Sequence, residues 1–213
     1  MTEQQIPMLA GKLVEHQSFF RTLSVEDAQW AIQHPQKTIA LFVTAVTNRA
    51  KKTVQKLEYV TTIPVAGAKS FVAKKYFNGF EVNTSNDVEV KTSHIGSMFK
   101  ERFMGKTEND VKPADIEIQR LLINSKDPPI IAELGGTHET TLTYLWQALE
   151  IQGHGQRGKL LTDGYANVFY IRDDVDGTLW AVDAYWFVGG WLLSAFSVGY
   201  PDPWSADSQV CSR

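Results

Sequence analysis

Apolar residues in the first quarter of the chain recur at helical spacing. Val25, Ala28, Ala31 and Ile32 follow Ser24, whose hydroxyl suits an N-cap, with Asp27 three residues on, and they predict a short helix ending before Pro35. Pro35 suits the first turn of a second helix. In that helix Ile39, Phe42, Val43 and Val46 fall at i, i+3, i+4 and i+7, continued by Ala50, Val54 and Leu57. The spacing predicts an amphipathic helix of several turns whose apolar face lies on a core. After Pro64 the period changes to two: Phe80, Val82 and Thr84 alternate, Ser85, Asn86 and Asp87 are turn formers, and Val88, Val90 and Thr92 alternate again. A β-hairpin is expected there. Ser97 as a cap, Phe99 and Phe103 one turn apart, and Gly105 as a stop predict a short helix. Residues 106–113 read as a loop, and residues 115–123 fit either a strand or a short helix.

Pro128, Pro129, Gly135 and Gly136 interrupt the pattern. Residues 124–137 are therefore the best candidate boundary between a helical part with a hairpin (1–124) and a second part (125–213), if the chain is not one continuous domain. A helix is expected from Thr137, with Leu142, Leu145, Trp146 and Leu149 on one face and Gly153 and Gly155 ending it. Beyond it the signal is β: strands over 166–172, 178–187 and 191–198, a turn at 173–177, and a last strand over 209–213 reached through a loop at 201–207. The fold class predicted is α+β, with N-terminal helices, a hairpin, and a helix packed on an aromatic-rich antiparallel sheet.

A chain of 213 residues with 43% hydrophobic and 21% charged residues can bury a sizeable core. Its net charge of -3 argues against nucleic acid or an acidic membrane as a general partner. That value hides a division: residues 37–120 carry 14 Lys/Arg against 9 Asp/Glu, whereas residues 125–213 carry 5 against 11. The basic run Arg49, Lys51, Lys52 and Lys56 reads as a solvated helix face. Glu3, Lys12, Glu15 and His16 break up the first residues, so no secretory leader is expected. The apolar stretch at 181–198 is interrupted by Asp183, Gly189, Gly190 and Ser194, so no membrane span is expected either. A single cysteine, Cys211, agrees with a reducing, cytoplasmic setting.

Aromatic density is the most unusual feature. The segment 160–213 holds 11 of the chain's 24 rings, among them Trp180, Trp186, Trp191 and Trp204. In the strand at 178–187, Trp180, Val182, Ala184 and Trp186 share one face, and Leu179, Ala181, Asp183, Tyr185 and Phe187 share the other. Neither face is polar, so the strand is either covered on both sides or displays rings. Trp180, Trp186 and Trp191 are the candidate ligand-binding residues. Trp180 and Trp186 stand about 20 Å apart at roughly 3.3 Å per residue, so a shared ligand would be extended.

Catalytic signals are sparse. Asp173, Asp174, Asp176 and Gly177 resemble part of a calcium loop, but Arg172 occupies the place of its first carboxylate, and a hairpin turn explains them. Glu139 beside His138 suits the start of the helix expected there. A hydrolase would need these two to meet a further group such as Asp183 or Asp207. His16, His34, His94 and His154 have no metal-ligand spacing, the glycines form no phosphate-cradling loop, and no cofactor is implied.

Residues 23–30 (LSVEDAQW), 129–136 (PIIAELGG), 164–173 (GYANVFYIRD) and 204–213 (WSADSQVCSR) resemble a family of bacterial proteins with no known activity. The resemblance implies a shared fold along most of the chain, and an aromatic where Cys211 stands. The reading best supported at this level is a non-enzymatic binding or interaction module that uses an aromatic sheet surface. Its partner would be a protein or an extended ligand. The alternatives are the hydrolase and a structural or assembly protein with an apolar stripe on the 39–57 helix.

Overall fold

The structure, a computed structural model, describes residues 24–50, 55–77, 83 and 85–213, with the backbone alone for 45–50. The chain forms two compact units, Met1–Val54 and Gln55–Arg213.

In the first unit, Ser24 Oγ accepts the Asp27 N–H at 3.0 Å and opens α1 (Val25–Gln33). His34 closes it, and α2 (Pro35–Ala50) starts at the next residue with proline in its first turn. The first helix stands where the pattern put it and the second starts where expected, but Leu57, expected on the second helix's face, opens a β-strand (Leu57–Val65) instead, because a recurring apolar spacing does not mark where a helix ends. The expectation that Ile39, Phe42 and Val43 face a core is corrected: they are 62%, 42% and 52% exposed. Periodicity gathers side chains into one stripe but does not supply a surface to cover it. The Val46 side chain and Val54 lie outside the described residues.

The second unit is built from β1 (Leu57–Val65), β2 (Ala68–Val72), α3 (Ala73–Tyr76), β3 (Thr92–Ile95), α4 (Ser97–Phe103), β4 (Thr107–Val111) and β5 (Ala114–Leu121). There follow α5 (Asp127–Leu134), a 3-10 turn at Gly135–Thr137, β6 (Glu139–Thr140), α6 (Leu142–Ile151), β7 (Asn167–Arg172), β8 (Leu179–Phe187), β9 (Gly190–Ser197) and β10 (Gln209–Ser212). An eight-stranded sheet runs in the order β1-β5-β10-β7-β8-β9-β3, with β6 pairing β7, while β2 and β4 form a separate pair. The fold is α+β, and the sheet is mostly antiparallel. Parallel ladders occur where long connections replace hairpins, at β10–β7, β6–β7 and β9–β3. Residues 124–137 fold inside this unit, because α5 takes Pro128 and Pro129 in its first turn, where their missing N–H groups cost nothing.

Helix α6 covers one face of the sheet. Leu142, Leu145, Ala148 and Leu149 are fully buried in a core with Phe169, Ile171, Val182, Ala184, Trp191 and Leu193. Its half-buried Trp146 meets the rings of Phe77 and Tyr76. The helix begins five residues later than Thr137. Thr141 caps the Tyr144 N–H, and Glu108 of β4 accepts the N–H groups of Leu142 and Thr143 at 2.9 Å each. The loop expected at 106–113 thus holds a strand that delivers a carboxylate to the helix start, and Glu139, expected to cap it, lies in β6 instead. Helix α5 covers the opposite face, packing Ile130 and Leu134 against Leu121, Val168, Tyr170, Ala181 and Val210.

Of the hairpin expected at 80–92, Phe80, Val82 and Thr84 lie outside the described residues, and Asn83 pairs with Thr92. Residues 88–90 are bends rather than a strand. The chain has by then turned to other partners, with the Lys91 N–H on Gly153 O and the Trp191 N–H on Lys91 O. No helix among the described residues is long and apolar enough to cross a membrane.

Candidate functional site

The alternation read along β8 is correct, and it sends the tryptophans inward. Trp191 is 0% and Trp180 7% exposed, and both spend their indole N–H groups inside, Trp191 on Gln152 O at 3.0 Å and Trp180 on Asp173 Oδ2 at 3.1 Å. Trp186 is half-buried. Gly155, at φ +63°, lies so close that a Cβ there would fall 2.2 Å from the Trp186 indole. The Trp180 ring carries the Arg102 guanidinium at 4.9 Å, and Arg102 also donates to Asp173 and Asp176. Those carboxylates hold the β7–β8 turn, with Asp173 Oδ1 accepting the N–H groups of Asp176 and Thr178 at 3.2 Å each. The candidate rings therefore pack inward, Trp180 under Arg102 of α4 and Trp186 and Trp191 against the 152–155 segment.

The catalytic candidates are dispersed. Glu139 forms a two-bond ion pair with Arg172 at 2.9 and 3.2 Å, and the His138 ring bonds to Gly135 O. Asp207 adopts φ 71° in an exposed turn. Asp183 lines a cavity to which none of these three contributes. Cys211 is fully buried, and burial pushes its thiol up.

Concave, ring-lined surface occurs on the opposite face of the sheet, beside α5. Phe196 of β9, the loop residues Tyr200, Asp202, Pro203 and Trp204, and Asp127 at the start of α5 enclose a cavity of about 280 Å³. Trp204 is fixed by two backbone bonds with Ser125, at 2.9 and 3.1 Å. Its indole N–H donates to Asp127 Oδ1 at 2.7 Å, and the buried Tyr170 hydroxyl donates to the same oxygen at 2.8 Å. The Phe196 ring lies 5.3 Å from Tyr200 and 5.7 Å from Trp204, the latter edge to face at 80°. Three rings thus line one cavity together with a carboxylate that is 3% exposed. Burial raises the Asp127 pKa above the ordinary carboxylate value, and the two hydrogen bonds oppose that rise.

A second cavity, of about 240 Å³, shares Trp204 and Pro203 with the first. Tyr165, Asp183, Tyr185, Ser205 and Ser208 complete its polar and aromatic lining. Asp183 lies opposite Val168 on β7 and Ser194 on β9. Part of its side chain is accessible through the cavity, yet Oδ1 is withdrawn from solvent with no hydrogen-bond partner. Burial, with nothing to offset it, pushes this carboxyl up to about 7.

Sequence reasoning singled out neither Asp127 nor Phe196 and Tyr200, and counted Trp204 only among the rings. Asp183 and Tyr185 were already placed together on the non-tryptophan face of β8, which is the face that carries this second cavity. Among the described residues, no three His, Cys, Asp or Glu side chains are grouped to hold a metal ion. No family model matches the chain, and neither a curated protein nor a solved structure is significantly similar to it.

Proposed function

We propose that the chain is a binding module for an organic cation, an alkylated ammonium group seated among Phe196, Tyr200 and Trp204 with Asp127 as its counter-charge. The observation that carries this reading is one cavity lined by three mutually packed rings and a buried carboxylate. Ring faces attract a desolvated cation through their quadrupoles, and a carboxylate beneath them adds a full opposite charge. Both side-chain donors, Trp204 and Tyr170, fall on Asp127 Oδ1, so neither occupies Oδ2. A neutral apolar ligand would desolvate that carboxylate without compensation. At about 280 Å³ the cavity suits a head group rather than a large molecule. The reading keeps an aromatic sheet surface as the binding element and moves it to the face away from α6.

Calorimetric titration with choline and with 3,3-dimethyl-1-butanol, its neutral isostere, tests the proposal. Choline is expected to bind at least about tenfold more tightly, a difference of about 1.4 kcal/mol. Equal binding, or none, refutes it.

A further inference from the structure

We infer that the two cavities flanking Trp204 form one bipartite site, and that its ligand is a linear aliphatic diamine or polyamine with one nitrogen in the ring cage and a second on Asp183. The inference rests on the ring cage being a cation site and adds the class of molecule it takes.

Three observations support it. The cavities share Trp204 and Pro203, so they adjoin across an indole and a proline ring, surfaces suited to an alkyl chain. Asp183 lines the second cavity, and its Oδ1 has no hydrogen-bond partner within the protein. Buried polar groups in folded proteins are almost always bonded, and an orphan oxygen on a carboxylate beside a cavity is explained by a donor that arrives with a ligand. Finally, the two linings contain Asp127, Asp183 and Asp202 and, among the described residues, no lysine or arginine. The negative charge is therefore uncompensated in both halves, which selects a ligand with positive charge at both ends over one with a single ammonium.

A primary ammonium has three N–H donors and can engage Asp183 while bonding to hydroxyls beside it. Ser205 and Ser208 line the same cavity, as does Tyr185, two residues after Asp183 on the same strand face, so acceptors for the remaining protons are at hand. A hydroxyl at that end of the ligand would satisfy the oxygen but leave its charge unmatched.

Titrating the full chain with α,ω-diamines of increasing length, with monoamines of matching length, and with choline tests the inference. Diamine affinity is expected to peak at one chain length and to exceed that of the matching monoamine by at least about tenfold. Asp183→Asn should abolish that advantage and leave choline affinity unchanged. Choline binding with no diamine advantage at any length overturns the bipartite site and leaves the cage standing, as does an advantage that survives Asp183→Asn. Absence of binding by choline and by every amine overturns both readings. The comparison of diamines with monoamines needs no variant, so it holds whatever the substitution does to folding.

Discussion

Trp186 and Trp191 face each other across β8 and β9 and meet edge to face, their ring centroids 5.3 Å apart at 78°. Trp191 is the fully buried partner and also donates to Gln152 O. Trp191→Ala removes that ring and that bond, and should cost about 3–5 kcal/mol in denaturant unfolding. Choline affinity of the folded fraction should not change, because Trp191 lies on the far side of the sheet from the ring cage.

Gly155 permits the close approach of Trp186. A methyl group there would overlap the indole, and φ +63° is itself unfavourable for alanine. Gly155→Ala should destabilise by about 1–3 kcal/mol, with a shift in tryptophan emission as Trp186 is displaced.

The Asp183 carboxyl gives stability a defined pH dependence. Its value of about 7 in the fold lies above the 3.8 of an unburied aspartate. The neutral form is thus favoured by folding: its contribution is complete below about pH 4 and is lost as pH rises through about 7. Val168 and Ser194 across the strands and Tyr165 and Tyr185 in the cavity bring no cation to oppose this. Asp183→Asn should therefore stabilise the protein at about pH 8, by at most about 4 kcal/mol, and leave melting at about pH 4 unchanged. Diamine binding to the native chain should strengthen over the same rise, because the ligand needs the ionised carboxylate.

Tyr200 is 43% exposed at the mouth of the cage, so its removal separates binding from folding. Tyr200→Ala should weaken choline binding by about 0.5–2 kcal/mol. Its melting temperature should stay near that of the native chain, as for other surface substitutions, which fall within about 0.5 kcal/mol.

Phe42→Ala distinguishes a buried from an exposed α2 stripe. With Phe42 42% exposed, the substitution should change stability by at most about 0.5 kcal/mol. A loss of about 3–5 kcal/mol would show instead that the ring is fully buried.

The elements legible in the sequence were those whose signal is local. Ser24 and Pro35 mark their helix starts by their own chemistry, and the alternation along β8 is a property of that strand alone. Helix α5 was hidden because Pro128 and Pro129 read as breakers unless they occupy a first turn, and β4 because its burial is confined to Glu108, whose carboxylate looks like surface until α6 arrives. The ring cage was illegible for the same reason. Asp127 and Trp204 are 77 residues apart, and only the pairing of Ser125 with Trp204 brings them into one wall. Asp183 was noticed as a polar residue on an otherwise apolar strand, but its missing partner is a property of the packed sheet.

Strand β10 lies between β5 and β7, antiparallel to one and parallel to the other. During synthesis on the ribosome β1 and β5 emerge long before β7, β8 and β9, and the strand that joins the two groups is translated after all of them. Until residues 209–212 are made, each group must wait with an open edge, β5 on one side and β7 on the other, able to recruit strands from neighbouring nascent chains. The sheet is therefore closed only when these four residues insert between β5 and β7.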